Sequence, residues 1–231
     1  MRLKLLPGVA AAVLPFFGAP FIHASVITTP SSDIVGVEHD LNNHWSVLNT
    51  NYPGAEAPAK AIDGDLNSKY LNFAGAGLDG SGNQVSNPTG FIVTLPSAVA
   101  ISSFRMATAN DFPSRDPATV TIEGGNFSGE SSTDIANSDS DSDWTLLYSG
   151  PSGIVTDQAR NTFAPVVSFA ASDAYSSFRF IITDLVRYAG NAPTNSQFSE
   201  IEINSAPAPE PASIALMAIG STGLLRRRRR R

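Results

Sequence analysis

The sequence predicts an all-β body, an antiparallel sandwich or barrel, lying between two targeting segments. Three observations carry this reading. Short segments of the middle region alternate apolar and polar residues with period two. The stretches joining them are rich in Gly, Pro, Asn, Asp and Ser, and no long segment there keeps a helical period of 3.6. Spaced short strands with polar turns fit those two architectures and few others.

Each strand rests on particular residues. Gly90–Leu95 is a dense apolar run suited to a strand inside a sandwich, and Ile101–Thr108 sets Phe104 and Met106 against Ser103 and Arg105. In Ala118–Gly124, Val120 and Ile122 face one way while Thr119, Thr121 and Glu123 face the other. Trp144–Ser149, Val166–Phe169, Ser177–Thr183 and Phe198–Ile203 complete the set, and Ala57–Ile62 is the one helical hint. The segment 25–54 adds an N-terminal strand and loop. No internal repeat is visible.

Gly129–Asp143 reads GESSTDIANSDSDSD and is almost devoid of apolar residues. Its composition predicts a solvated, mobile hairpin loop. Its four aspartates lack the spacing, the Gly and the terminal Glu of an EF-hand. Asn126-Phe127-Ser128 satisfies a glycosylation sequon, which is expected here by chance alone.

The chain carries 15 basic and 21 acidic residues, but the basic ones crowd its ends. Between Ser25 and Ala208 there are 7 Lys and Arg against 20 Asp and Glu, a net charge of −13. A body so acidic does not bind nucleic acid or an anionic membrane surface through general electrostatics. With no cysteine, thiol chemistry, disulfides and thiolate metal sites are excluded. About 180 residues are enough for one good core.

The N-terminus reads as a signal peptide over residues 1–24. Arg2 and Lys4 form a positive start, an apolar run broken by Pro7, Pro15 and Pro20 follows, and Ile22-His23-Ala24 gives small-residue cleavage context. At the other end, residues 205–231 form a three-part segment. Pro207-Ala208-Pro209-Glu210-Pro211 is an extended spacer, since proline resists helix. The apolar run 212–225 is uncharged and 14 residues long, short of the ~20 that span a bilayer core comfortably. The six arginines that follow can snorkel to ease the mismatch and hold that end in the cytoplasm, leaving the body outside.

This order of Pro209-Glu210-Pro211, short apolar helix and Arg cluster resembles the PEP-CTERM sorting signal of Gram-negative bacteria. The resemblance implies a C-terminal transmembrane helix in the inner membrane, a body facing the periplasm, and processing by an exosortase near Pro209, Glu210 and Pro211. Release to the cell surface follows, in a setting of exopolysaccharide and biofilm. A plain tail anchor is the alternative.

Within the body, Ala57–Phe73 is the most informative stretch. Oxygen ligands packed into a tight Gly-containing turn, as in Asp63-Gly64-Asp65 with Ser68, suit a hard cation, although Asp-Gly-Asp also serves plain turns. Ala61-Ile62-Asp63-Gly64-Asp65 with Ser68-Lys69-Tyr70 resembles the early calcium turn of discoidin-type, galactose-binding-like domains. Gly90–Leu95, Ile101–Met106, Arg115–Gly124, Trp144–Tyr148, Tyr175–Phe180 and Phe198–Ile203 match the same family in order, covering most of 55–204. The resemblance implies a jelly-roll β-sandwich of about eight strands with ligand loops at one end. It also implies a structural Ca2+ held by Asp63, Asp65, Ser68 and Glu200, with carbonyls near Lys60. Ser68 stands where relatives often carry Thr. Glu200 and Glu202 point to the same side of the last strand, so sequence does not choose between them.

Other charged residues read as structural. Arg115 and Asp116 fix the turn before the Thr119–Glu123 strand, with Pro117 forcing an extended entry, and Arg179 partners a carboxylate. His39 and His44, five apart, fall on different faces of a helix or strand, which disfavours zinc and a Ser-His dyad. With Asn42, Asn43 and Trp45 they form a polar–aromatic cluster suited to sugar, in which an aromatic face stacks and amides bond hydroxyls. The alternative places Trp45 in the core or in a mobile N-terminal segment.

The sequence therefore points to an exported, non-enzymatic module destined for the surface, binding extracellular polysaccharide. The rival is a structural or adhesion protein acting through protein–protein contacts. A glycan-processing enzyme needs paired carboxylates in a cleft, and nothing in the sequence pairs two of them.

Overall fold

Phe104 and Phe180 meet edge to face at 5.5 Å between two antiparallel sheets. The computed structural model describes residues 24–39, 45–47, 52–73, 77–78, 84–85, 88–138, 141–186 and 195–207. The larger sheet runs β2 (Trp45–Val47), β1 (Asp33–His39), β6 (Thr89–Val99), β11 (Tyr175–Leu185), β8 (Pro117–Gly125), β9 (Thr145–Pro151). The smaller runs β10 (Val167–Ser168), β7 (Ile101–Ala107), β13 (Glu200–Ser205). A pair, β3 (Tyr70–Asn72) with β12 (Ser196–Phe198), and a short hairpin, β4 (Gly77–Leu78) with β5 (Gln84–Val85), complete the strands. Residues 24–207 form one compact unit.

The core follows from the pleat. Phe91, Val93, Val120, Ile122, Phe178, Phe180 and Ile182 of the larger sheet pack on Ile101, Phe104, Met106, Ile201 and Ile203 of the smaller. β6 is buried on both faces, because Ile92 points into a second cluster with Val37, Ile181 and Trp144. That explains its unbroken apolar run. Gly90 sits where strands press together: a Cβ there would lie 1.9 Å from the Phe180 carbonyl oxygen. Only glycine fits.

The second cluster is closed by a helix, α1 (Ser132–Ser138), which corrects the expectation of a mobile loop over Gly129–Asp143. Ile135 and Ala136 are fully buried on the outer face of the larger sheet. Ser131 and Asp134 cap its start reciprocally, with Asp134 N–H donating to Ser131 Oγ at 3.2 Å and Ser131 N–H to Asp134 Oδ2 at 3.1 Å. Ser132 N–H donates to Asp33 Oδ2 at 2.7 Å, pinning the helix to β1. Two apolar residues, placed correctly, outweigh a polar composition.

The helical hint at 57–62 is a 3₁₀ turn, Pro58–Ala61. The expected strand 198–203 breaks at Ser199 into β12 and β13. Among the described residues no helix is long and apolar enough to cross a membrane; the apolar run 212–225 lies outside them.

Candidate functional site

The strand register gives the sandwich two poles. At one, Ser205 N–H donates to the Ser25 carbonyl at 2.9 Å and Val26 bridges Asn204, so both ends of the body leave there. At the other, Glu38 pairs with Thr89, Thr89 with Ile182, and Pro117 with Leu185. The end of β1, the loop before β8, the end of β11 and the acidic turn gather at this second pole.

The acidic turn is built on Gly64, whose φ of +78° suits glycine. Asp63 is held from several sides: Lys60 Nζ donates to Oδ2 at 2.9 Å, Asp65 N–H to Oδ1 at 3.0 Å, and the Ser68 hydroxyl lies 2.9 Å from both oxygens. Burial pushes the Asp63 carboxyl up, but these hydrogen bonds more than offset it and leave it below its usual value. Gly64 N–H donates to Glu200 Oε2 at 2.8 Å, joining the turn to the start of β13. Glu200 is 4 % exposed and makes no salt bridge among the described residues. Burial, reinforced by the charges of Asp63 and Glu202 against the Gly64 N–H, pushes it up to about 8.

The turn thus brings Asp63, Ser68 and Glu200 together. Asp65 accepts through Oδ1 from the Asn67 N–H at 2.9 Å and from Asn67 Nδ2 at 3.0 Å. Glu202 pairs with Arg105 at 2.5 Å, so Glu200 is the glutamate that reaches the turn. The donors are hard oxygens, and a buried carboxylate without a counter-charge suits a cation. Against this, Lys60 already neutralises Asp63, and among the described residues no three His, Cys, Asp or Glu converge as a metal cluster.

In the β1–β2 ladder, His39 pairs with Trp45 across the backbone at the same pole. Asn42, Asn43 and His44 lie outside the described residues, as do Pro209, Glu210 and Pro211.

A third group at this pole has no counterpart in the sequence reading. Lys69, nearly buried, lies 2.7 Å from Asp111 Oδ1 and 3.4 Å from Gln197 Oε1. Arg160 grips Asp116 through both guanidinium nitrogens, one bond at 2.8 Å, and donates to the Asp111 carbonyl at 2.8 Å. Burial pushes the Asp116 carboxyl up despite Arg160. Asp116 therefore answers Arg160, not its neighbour Arg115. Arg179, 2 % exposed, pairs with Glu123 at 2.6 Å and lies over Trp144, the structural role expected of it. Lys69 and Gln197 are 128 positions apart, so no local pattern announces their meeting.

Residues 207–230 match the PEP-CTERM protein-sorting motif. The body is similar in fold to the F5/8 type C domain of a Bacteroides fragilis protein, at 11 % identity and a TM-score of 0.50, covering 80 % of this chain and 97 % of that one. It also matches the family 32 carbohydrate-binding module of Clostridium perfringens NanJ, solved with galactose (14 % identity, TM-score 0.49, 79 % of this chain and 100 % of that one). A third match is a chitosan-binding module from a chitosanase/glucanase of Paenibacillus sp. IK-5 (15 % identity, TM-score 0.48, 79 % and 100 %). No curated protein matched. The chain thus carries a PEP-CTERM sorting motif, which indicates export toward the cell surface, behind an antiparallel sandwich of the discoidin kind.

Proposed function

We propose that this protein is a carbohydrate-binding module of the cell surface or exopolysaccharide matrix, delivered by an exosortase acting at Pro209-Glu210-Pro211. One observation carries the reading: the polarity of the sandwich. The sorting tail follows the pole where Ser25 meets Ser205, and the loops gather at the opposite pole.

In this reading Ca2+ stiffens the binding pole. Asp63, Ser68 and Glu200 would hold it with carbonyls near Lys60, while Asp65 shapes the turn. The ion would supply the positive charge that Glu200 lacks. The β1–β2 hairpin, with His39, Asn42, Asn43, His44 and Trp45, would contribute amides and an aromatic face to the glycan. No catalytic step is assigned: the Asp63 and Glu200 carboxylates are engaged by the turn's own donors rather than set across a cleft.

The test is co-sedimentation of the body, residues 24–207, with insoluble extracellular polysaccharide. Pelleting that soluble competitor glycan reverses supports the proposal. A body that stays in the supernatant favours the protein–protein alternative.

A further inference from the structure

β9 is the last strand of the larger sheet, and among the described residues no strand pairs with its outer side. The other edges are short or covered. β2 is described over three residues and β10 over two. β13 is bordered by residues 25–27, where Ile27 N–H donates to the Ile203 carbonyl at 2.8 Å and Val26 bridges Asn204. β9 runs for seven residues, Thr145-Leu146-Leu147-Tyr148-Ser149-Gly150-Pro151, and none of them is charged. Natural sheets commonly guard such an edge with Lys or another charge, because its unpaired N–H and C=O groups are a template for a further strand. Here the guards are a bulge at Leu147 and a terminal Pro151.

The strand is held ready at both ends. Just before it, the buried Trp144 packs on Phe127 with ring centroids 5.0 Å apart. Just after it, Ser152 N–H donates to the Ala118 carbonyl at 2.9 Å and the Ser152 hydroxyl to the Pro117 carbonyl at 2.6 Å. The bulge lets two successive side chains, Leu147 and Tyr148, pack on the core. Leu146 instead shares the outer face with Glu123, its partner on β8, and is 60 % exposed. Ser149 lies on that face too, accepting from the Thr121 hydroxyl at 3.3 Å. Ordering this edge costs a partner strand little entropy, and Leu146 adds apolar area beside it.

Charge decides how a second copy of the strand can lie there. The exposed Asp143 precedes β9, whereas Pro151-Ser152-Gly153 at the other end carries no charge. A second β9 running parallel would set Asp143 beside Asp143. Running antiparallel, it sets each Asp143 beside the uncharged end of its neighbour, so the edge is complementary to itself. We propose that the body forms a two-fold dimer through antiparallel pairing of β9 with β9 of a second copy. The axis stands perpendicular to the sheets, so two six-stranded sheets join edge to edge and both β9 edges are consumed. Assembly stops at two. The same axis reverses strand direction, so the poles that gather the loops point opposite ways in the two copies. On the carbohydrate reading above, on which this consequence alone rests, the dimer bridges two glycan chains instead of gripping one twice.

Sedimentation equilibrium of the body, residues 24–207, tests this, together with hydrogen exchange at low and high protein concentration. The mass is expected to rise from one copy to two, and no further, between about 5 and about 500 µM, as suits a small interface. Each body carries a net charge of −13, so raising salt from about 0.05 M to about 0.5 M should tighten the dimer by screening long-range repulsion. Amides within 145–151 should gain protection as the dimer fills. Leu146→Lys and Ser149→Lys should each weaken pairing by about tenfold or more with the melting temperature unchanged. Where one variant melts lower, the other decides; where both do, the protection of 145–151 in wild type decides. A wild-type body that stays a single copy at about 500 µM in either salt overturns the proposal. So do well-folded variants that pair as tightly as wild type, protection that falls outside 145–151, or growth beyond two copies. Protection of 145–151 that appears only on adding another extracellular protein, or a synthetic peptide of residues 207–213, gives the edge to that occupant and overturns the dimer too. A dimer that binds no glycan supports the pairing and counts against the carbohydrate reading alone.

Discussion

Glu200 accepts the Gly64 N–H at 2.8 Å across 136 positions of sequence, tying the acidic turn to the first residue of the last strand. The bond places a buried carboxylate within the field of Asp63, and the salt bridge that Asp63 makes goes to Lys60. Two consequences can be measured.

The first is pH dependence. Glu200 is raised in the fold to about 8 from an ordinary carboxyl value of 4.5, so between the two the folded state holds a proton that the unfolded chain has released. Stability therefore falls as pH rises between those values, and is flat on either side as far as this group is concerned. In chelator, the body should melt at a lower temperature at pH 8 than at pH 5. Glu200→Gln should flatten the difference. Equal slopes in the two proteins would remove Glu200 as the cause.

The second is calcium. A cation binding the folded state alone stabilises it by RT ln(1 + [L]/Kd), about 4 kcal/mol at 1,000-fold saturation. Millimolar calcium should raise the melting temperature by several degrees and suppress the loss at high pH. Asp63→Ala and Glu200→Ala should abolish both effects. Identical melting of metal-free protein in chelator and in calcium would leave the turn held by Lys60, Ser68 and Gly64 alone.

The loop scaffold depends on Arg160. Removing it leaves the Asp116 carboxylate buried without its bidentate partner and frees the Asp111 carbonyl. Arg160→Ala should cost about 3 kcal/mol in urea unfolding. Arg115→Ala, which breaks no salt bridge among the described residues, should cost under about 1 kcal/mol. Comparable losses would mean that Asp116 answers Arg115 after all.

What could be read from the sequence divides along physical lines. β6, β7, β8 and β11 are legible because a half-buried or doubly buried strand writes its pleat into the order of residues, as Val120 and Ile122 do. α1 is hidden because composition averages over a window, whereas burial needs only Ile135 and Ala136 in the right place. Its one local signal is the Ser131–Asp134 cap. The approach of the Asp63 turn to the last strand is visible through family resemblance and through nothing nearby in the chain. The Lys69–Asp111–Gln197 group and the left-handed Phe112 are visible to neither route. They arise where three distant loops meet, and Phe-Pro in sequence suggests an extended residue, not a left-handed one.

Sorting makes its own prediction. Surface material should end near Pro209–Pro211 and lack the arginine block, as read by mass spectrometry of the mature C-terminus. An intact Arg231 on extracellular protein would favour a plain anchor.

The central claim is glycan binding at the pole opposite the Ser25–Ser205 contact. A glycan array probed with the 24–207 body, with and without calcium, tests it most directly. The account predicts weak but selective binding, stronger in calcium and lost in Trp45→Ala without the fall of about 3–5 kcal/mol that an emptied core site would cause. A wild-type body that binds no glycan in calcium, or a Trp45→Ala protein that binds as well as wild type while unfolding more easily, would contradict it.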